Sequence, residues 1–201
     1  MLIDIGVNLS SHRFEDDRSA VLQNALDAGV EKLILTGTSL FESKVTIDIC
    51  NFFSDDFPNM LHATVGIHPH NAEQFNITTS EKLSDLAGDE AVVAIGETGL
   101  DFYRNLATPK AQQVSFEGHI ELAKNTGLPL FLHERDAAKR QIEILRDYRD
   151  HFSKAVIHCF TGDRATLHNY LDMDLYIGIT GWICDSRRGS DLQAIVADIP
   201  L

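Results

Sequence analysis

The chain has 201 residues, 44% of them hydrophobic and 23% charged, a globular composition that excludes a disordered or fibrous protein. Lysine and arginine total 17 against 30 aspartates and glutamates, so the net charge is −13 with histidine neutral. This balance argues against a protein that coats nucleic acid through a basic face, but it is compatible with an enzyme that holds one phosphate through a metal ion.

Short apolar runs rich in strand-forming residues recur along the chain, and each is followed by a polar stretch with helical spacing. This alternation predicts repeated strand–helix units and a parallel sheet. The predicted strands cover residues 2–7, 32–36, 61–67, 91–95, 128–132, 155–157 and 175–179.

Three of the segments between these runs carry clear helix signals. Residues 18–28 repeat apolar positions at helical spacing and stop at Gly29, a residue type favoured just past a helix end. Residues 115–126 do the same and stop at Gly127, and residues 137–148 show the same apolar spacing. We therefore expect helices over these three segments.

The alternation of strands and helices is compatible with an open doubly wound sheet or with a closed (β/α)₈ barrel. The doubly wound dinucleotide-binding fold predicts G-x-G-x-x-G after the first strand, and residues 6–11 read GVNLSS, which does not match. The number of strand–helix units favours the barrel. No linker or break in composition divides the chain, so we predict an α/β TIM-type barrel in a single domain over residues 1–201.

Residues of metal-binding type follow three of the predicted strands. Glu97 follows the fourth run, His133 the fifth and His158 the sixth. The carboxyl ends of parallel strands meet at one rim of a barrel, and a carboxylate there is costly unless it is paired or bound to metal. One carboxylate with imidazoles forms a mixed site suited to a divalent cation. Alternatively, each histidine is a structural residue that is held at the rim by hydrogen bonds and binds no metal.

Further polar residues lie near the predicted rim. His68 and His70 flank a proline after the third run. Asp4 lies inside the first run and either serves the site or caps a loop N–H. Arg135 can pair with a phosphate oxygen or with an acidic neighbour on the rim. The remaining histidines are expected to be structural or solvated: His12, His62, His119, His151 and His168.

The sequence also indicates a cellular compartment. No apolar run approaches the length of a membrane span, and the first residues do not form a leader peptide. The three cysteines, Cys50, Cys159 and Cys184, are odd in number and irregularly spaced, so neither a disulfide framework nor a cysteine zinc site is expected. We expect a cytoplasmic protein that does not associate with a membrane.

A family resemblance is carried by six segments, at residues 4–9, 64–70, 94–103, 130–135, 157–162 and 176–181. The most specific motif among them is Gly-Glu-Thr-Gly-Leu-Asp at 96–101. With these segments in family order, the chain resembles the TatD family of metal-dependent deoxyribonucleases, a branch of the amidohydrolase-like TIM barrels. The resemblance implies that Glu97, His133 and His158 bind a divalent metal. It also implies cleavage of phosphodiester bonds in DNA, as a 3′–5′ exonuclease on single strands, with RNA as a further substrate.

The first strand departs from the family pattern. Most relatives begin with Asp-x-His-x-His, whereas residues 4–8 read DIGVN, so two imidazole ligands are absent. Fewer nitrogen ligands suit Mg²⁺ or Mn²⁺ better than a tightly held Zn²⁺. The roles we expect are catalysis for Glu97 and Asp4, and substrate binding for His68, His70, Asn8 and Arg135.

The carboxyl-terminal part departs further, because family members continue into an eighth strand that ends in Glu-Thr-Asp and this chain stops near Asp198. We therefore expect seven of the eight strand–helix units, with the first and seventh strands as unpaired edges. The expected function is a monomeric, metal-dependent deoxyribonuclease with a role in DNA repair or degradation. The alternatives are a metal-dependent hydrolase of small amides or esters, and an inactive truncated remnant.

Overall fold

The computed structural model describes residues 2–187 and 189–200. Its strands form one parallel sheet in which spatial order follows chain order. The strands are β1 (Leu2–Val7), β2 (Val30–Leu35), β3 (Leu61–Val65), β4 (Val92–Asp101), β5 (Leu130–Arg135), β6 (Ala155–Ile157) and β7 (Tyr176–Ile177).

An α-helix follows each strand along the chain, which is the connection that joins neighbouring parallel strands. The helices are α1 (Arg18–Asp27), α2 (Leu40–Phe52), α3 (Ile77–Leu86), α4 (Pro109–Thr126), α5 (Ala138–Asp147), α6 (Arg164–Leu171) and α7 (Ser190–Ile195). The predicted α/β class with seven strand–helix units is confirmed. Within the described residues β1 and β7 form the two edges of a curled, open sheet.

The core lies along the central strands, where Leu35, Val65, Ile95 and Leu132 are completely buried. Burial on both faces is typical of a parallel sheet covered by helices. The edges are different, because Leu2 on β1 is 60% exposed and Tyr176 on β7 is 58% exposed. The interior strands therefore form the buried centre of the fold, and the polar residues of the rim lie at the carboxyl ends of these strands. Among the described residues, no helix has the length and apolar character needed to cross a bilayer.

Local signals explain where α4 begins and ends. The side chain of Thr108 accepts a hydrogen bond from the backbone N–H of Ala111, and Pro109 occupies the first turn, where its missing N–H costs nothing. At the other end Gly127 adopts the left-handed conformation with φ 73°. The helix therefore begins at Pro109 instead of at the predicted residue 115, because the cap and the proline precede the apolar repeat.

Strand β4 continues past the predicted end at residue 95. After a register shift between Ile95 and Thr98, pairing with β5 resumes and reaches Asp101 opposite Arg135. Gly99 permits this, since a Cβ at that position would lie 2.0 Å from the carbonyl oxygen of His133. The expectation that Glu97 follows the end of the fourth strand is therefore wrong, and Glu97 lies within β4.

Candidate metal centre

The buried carboxylate of Glu97, 7% exposed, is the centre of a histidine cluster. Its Oε1 atom lies 2.6 Å from Nε2 of His158 and 3.0 Å from Nδ1 of His133. Nε2 of His68 lies 3.5 Å from the same oxygen. Three imidazole nitrogens from three different strand ends thus converge on one oxygen atom.

The parallel strands place these groups at one rim. His133 lies on β5, and His158 directly follows β6, where its backbone N–H donates to the carbonyl of Leu132. The ring of Phe131 stacks on His158 at a centroid distance of 4.9 Å. Each imidazole is therefore held by a strand and by its packing, so the site is preorganised.

The electrostatics favour an ionised Glu97. Burial raises the pKa of its carboxyl group, but the hydrogen bonds from His133 and His158 outweigh burial and hold the pKa well below its usual range. For His133 burial lowers the pKa, and the hydrogen bond and negative charge of Glu97 reverse the effect, so the pKa is raised. The pair is thus an ionised carboxylate beside a histidine that readily takes a proton.

His68 differs from its neighbours in how its ring is held. Its Nδ1 accepts a hydrogen bond of 3.1 Å from the backbone N–H of His70. Burial lowers the pKa of His68 to about 4 against the opposing charge of Glu97, so the ring is neutral. A neutral ring that accepts at Nδ1 carries its proton on Nε2, the atom that faces Glu97. In this arrangement His68 offers a hydrogen-bond donor to the site.

Asp101 is a site residue that the sequence reasoning missed. Its Oδ2 lies 2.7 Å from Nε2 of His70 and 3.3 Å from Nε2 of His133, and its side chain is 1% exposed. Burial raises the pKa of this carboxyl, but hydrogen bonds from the Arg104 N–H and from His70 lower it overall. The available signal was the spacing of Glu97 and Asp101, since residues four apart on a strand face the same side.

The structure does not bring every predicted residue into the cluster. Asp4 is exposed on β1, and within the described residues its side chain makes no hydrogen bond or ion pair. Desolvation raises its pKa. The Oδ1 atom of Asn8 accepts a hydrogen bond of 3.1 Å from the hydroxyl of Ser10. Arg135 lies at the rim, with its guanidinium over the ring of Tyr103.

A cavity of about 380 Å³ opens beside the cluster. Its lining includes Glu97, His133 and His158, together with Trp182 and Asp191. The volume is in the range of small-ligand sites, and the titratable groups converge on it. The rim therefore combines a preorganised polar centre with room for a substrate.

Comparison with known proteins identifies the family. The sequence model of the family described as "TatD related DNase" matches residues 3–201. The chain belongs to the TatD-related DNase family. The resemblance inferred from the motifs is thus confirmed over almost the whole chain.

Curated members of the TatD family with similar sequences come from several bacteria. The protein named "3'-5' ssDNA/RNA exonuclease TatD" from Edwardsiella piscicida is 44% identical over 199 residues, which are 99% of this chain and 75% of that protein. The protein of the same name from Escherichia coli K12 is 42% identical, with the same shares covered. This chain thus spans three quarters of the length of these relatives.

Solved TatD-family structures share the fold. A TatD-family hydrolase from Entamoeba histolytica has a TM-score of 0.89 at 27% identity, over 99% of this chain and 70% of that chain. A TatD homologue from Escherichia coli K12 has a TM-score of 0.87 at 26% identity, over 99% of this chain and 75% of that chain. The curled sheet of this chain therefore corresponds to most of the fold in both structures.

The donor set of this TatD-family member fits a divalent cation. Ligand atoms of His68, Glu97 and His133 lie within 4.8 Å of one another, and Nε2 of His158 lies 2.6 Å from Oε1 of Glu97. Because the Nε2 atom of His68 carries a proton, the lone pairs open to a cation are those of Glu97, His133 and His158. An ionised, buried carboxylate beside imidazole nitrogens is suited to a divalent metal, and carboxylates bind Mg²⁺ and Mn²⁺ while imidazole also suits Zn²⁺. Asp101, on the far side of His133, supplies the outer carboxylate that commonly orients a ligating histidine.

Proposed function

We propose that this chain is a divalent-metal-dependent nuclease that hydrolyses phosphodiester bonds in single-stranded DNA or RNA and acts as a 3′–5′ exonuclease. The observation that carries the proposal is the convergence of His133 and His158 on the ionised carboxylate of Glu97 at the carboxyl rim. The printed names of the relatives support the choice of substrate and polarity.

Glu97, His133 and His158 are the proposed metal ligands. When bound, the cation polarises a phosphate oxygen and lowers the pKa of a water molecule. Mg²⁺ is the proposed metal and Mn²⁺ the nearest substitute, because the oxygen of Glu97 is the central donor and the first strand has no histidine. Zn²⁺ would be favoured by a site richer in imidazole.

The other residues of the rim would bind and orient the substrate. The Nε2 proton of His68 can be donated to a phosphate oxygen, while Asp101 holds the rings of His70 and His133 in place. Arg135 supplies a permanent positive charge at the edge of the same cavity. Asp4, as a further catalytic carboxylate, and Asn8, as a substrate-binding amide, remain predictions of the sequence pattern.

The acidic net charge of −13 is compatible with this substrate. An exonuclease grips a strand end through few phosphates, so it does not need the extended basic face of a coating protein. A single phosphate meets the local positive charge of the cation and of Arg135. The proposed substrate is thus a free strand end rather than a long duplex.

A labelled single strand tests the proposal. An oligonucleotide with a fluorophore at its 5′ end is incubated with Mg²⁺ or with EDTA, and products are resolved by length. We expect a ladder that shortens from the 3′ end with Mg²⁺ and no products with EDTA or with the variant Glu97→Gln. Glu90→Gln, an exposed glutamate on the loop before β4, is the matched control.

Three results would contradict the proposal. The first is cleavage by Glu97→Gln at the parent rate, which would remove this residue from the mechanism. The second is turnover of small amides or esters in the absence of any DNA or RNA cleavage, which would support the alternative hydrolase. The third is a folded chain without any activity, which would support a non-catalytic remnant.

The cellular setting belongs to the same proposal. We place the protein in the cytoplasm as a monomeric single domain with a role in DNA repair or degradation. The unpaired state of Cys50, Cys159 and Cys184 supports a reducing compartment. Sedimentation of the purified chain tests the monomer, and a sedimentation coefficient of a dimer would contradict it.

A further inference from the structure

Two side chains at the rim form a stacked pair beside the metal centre. Tyr103 follows β4 and Arg135 ends β5, and the backbone N–H of Phe102 donates to the carbonyl of Arg135 at 2.9 Å. The guanidinium carbon of Arg135 lies 3.9 Å from the centroid of the Tyr103 ring. This distance is typical of a cation–π contact, so the neighbouring strand ends hold the two planes together.

The ring of Tyr103 is nevertheless 59% exposed. With one face covered by Arg135, an exposure this large requires the opposite face to be open to solvent. One face of the tyrosine ring is packed against Arg135 and the other is open to solvent. Such a ring loses little conformational entropy when a flat ligand stacks on its open face. The ring thus has the properties of a stacking platform.

The position of the platform connects it to the metal centre. Tyr103 lines a cavity of about 420 Å³ that adjoins the cavity of the metal cluster. Glu134, Arg135 and Thr161 line both cavities, so the two cavities are neighbours on the rim. A nucleic-acid strand whose end is bound at Glu97 can therefore extend along the rim to Tyr103.

We propose that the open face of Tyr103, backed by Arg135, binds an unpaired nucleobase close to the phosphate held at the metal centre. The inference rests on the proposed nuclease function, because that function places a strand end at Glu97. Every base has a flat aromatic face, so such a site tolerates any sequence. It favours an unpaired base, since in the interior of a duplex both faces of each base are covered by stacked neighbours. Tyr103 would thus contribute to single-strand preference.

Equilibrium binding tests the platform separately from catalysis. A short, fluorescently labelled oligothymidylate with phosphorothioate linkages resists hydrolysis, and its anisotropy is measured with Mg²⁺ present. We expect Tyr103→Ala to weaken binding by about 5- to 150-fold, the loss of one base stack. Tyr103→Phe keeps the ring and should bind like the parent. Binding by Tyr103→Ala equal to the parent would overturn the proposal.

The chain offers a matched control for this substitution. Tyr176 on β7 is 58% exposed, and the ammonium of Lys154 lies 5.7 Å from its ring centroid. Tyr176 begins β7 and Lys154 directly precedes β6, so both residues lie at the amino-terminal ends of these strands, opposite the carboxyl rim that carries the Glu97 cluster. Tyr176→Ala should therefore leave oligonucleotide binding unchanged, and an equal loss in both variants would contradict a specific role for Tyr103.

A second series identifies the base. A single abasic residue is moved through the last few positions at the 3′ end. The parent should lose affinity strongly at one position, and Tyr103→Ala should lose nothing further at that position, because the stack is already absent. Losses that are the same in both proteins at every position would overturn the stacking assignment.

The small phosphodiester methyl p-nitrophenyl phosphate separates this inference from the function on which it rests. It carries no nucleobase, so its hydrolysis by the parent tests the nuclease proposal alone. A parent that hydrolyses neither this ester nor an oligonucleotide contradicts the nuclease proposal, while the binding series still decides whether Tyr103 stacks a base.

Discussion

His133 lies between two carboxylates. Its Nδ1 is 3.0 Å from Oε1 of Glu97, and its Nε2 is 3.3 Å from Oδ2 of Asp101. A histidine that binds a cation through one nitrogen commonly donates the proton on the other to a carboxylate, which sets the tautomer and the ring orientation. Asp101 is therefore a positioning residue, and Glu97 lies on the side of the ring that faces the cavity.

Replacement of Asp101 by asparagine should weaken the site without emptying it. Asp101→Asn keeps an oxygen for the N–H of Arg104 but removes the negative charge beside His133 and His70. Loss of such an outer carboxylate costs about 10- to 100-fold in metal affinity or activity. Titration of Mg²⁺-dependent nuclease activity measures the change, and excess metal should restore part of the rate.

The exposed aspartate Asp55 provides the control, since Asp55→Asn removes the same charge far from the cluster. Equal metal dependence in Asp101→Asn and the parent would remove Asp101 from the site.

Thermal unfolding should report the metal directly. A divalent cation that binds only the folded chain at about 100 times its dissociation constant adds about 2.7 kcal/mol of stability. For a chain of this size we expect a rise in Tm of roughly 5–10 °C. EDTA should reverse the rise, and Glu97→Gln should show none of it. A metal-induced shift that survives in Glu97→Gln would place the cation elsewhere.

A close approach of β3 and β4 predicts a packing-sensitive site. A Cβ on Gly66 would lie 2.5 Å from the carbonyl carbon of Gly96, directly before Glu97. Gly66→Ala should displace the middle of β4 around Gly96 and cost about 1–3 kcal/mol of unfolding free energy. It should also reduce the metal-induced rise in Tm. Denaturant unfolding with and without Mg²⁺ measures both effects.

Gly181→Ala is the control for this substitution, because a Cβ there meets nothing within 4 Å. If Gly66→Ala were as stable as Gly181→Ala, the contact between the two strands would have room for a methyl group.

The buried side chain of His119 should make the stability of the fold sensitive to acid. Burial lowers the pKa of His119 to about 4 from its ordinary value of 6.5, against the opposing effect of the Ser115 carbonyl. The backbone N–H of Ile67 donates to its Nε2 at 2.9 Å, a bond that protonation would break. Between these pH values the unfolded chain binds a proton that the folded chain does not bind, so stability falls as the pH falls.

The full effect of His119 is about 3 kcal/mol, present above pH 6.5 and lost as the pH approaches 4. Unfolding free energies measured across this range should show a shallower pH dependence in His119→Gln, which keeps an acceptor for Ile67. The contribution of His68, whose pKa is also lowered to about 4, remains in that variant. A pH dependence identical to that of the parent would contradict the assignment of a neutral His119.

The sequence predicted the strand–helix alternation well, because apolar periodicity and helix-end signals are local. The first and sixth strands have the predicted limits, and α1 begins at Arg18 as expected. Errors occurred where distant contacts decide the outcome. Strand β4 reaches Asp101 because β5 continues to pair with it, and no residue near position 95 indicates that partner.

For the site, the sequence by itself identified Glu97, His133 and His158, since the type of each residue and its position after an apolar run can be read directly from the sequence. Only the tertiary structure decided that two imidazole nitrogens meet on one oxygen of Glu97 and that Asp101 is the second carboxylate. It also placed Tyr103 under Arg135. The physical reason is that strand registry and side-chain direction depend on the neighbouring strand, and local sequence does not specify that neighbour.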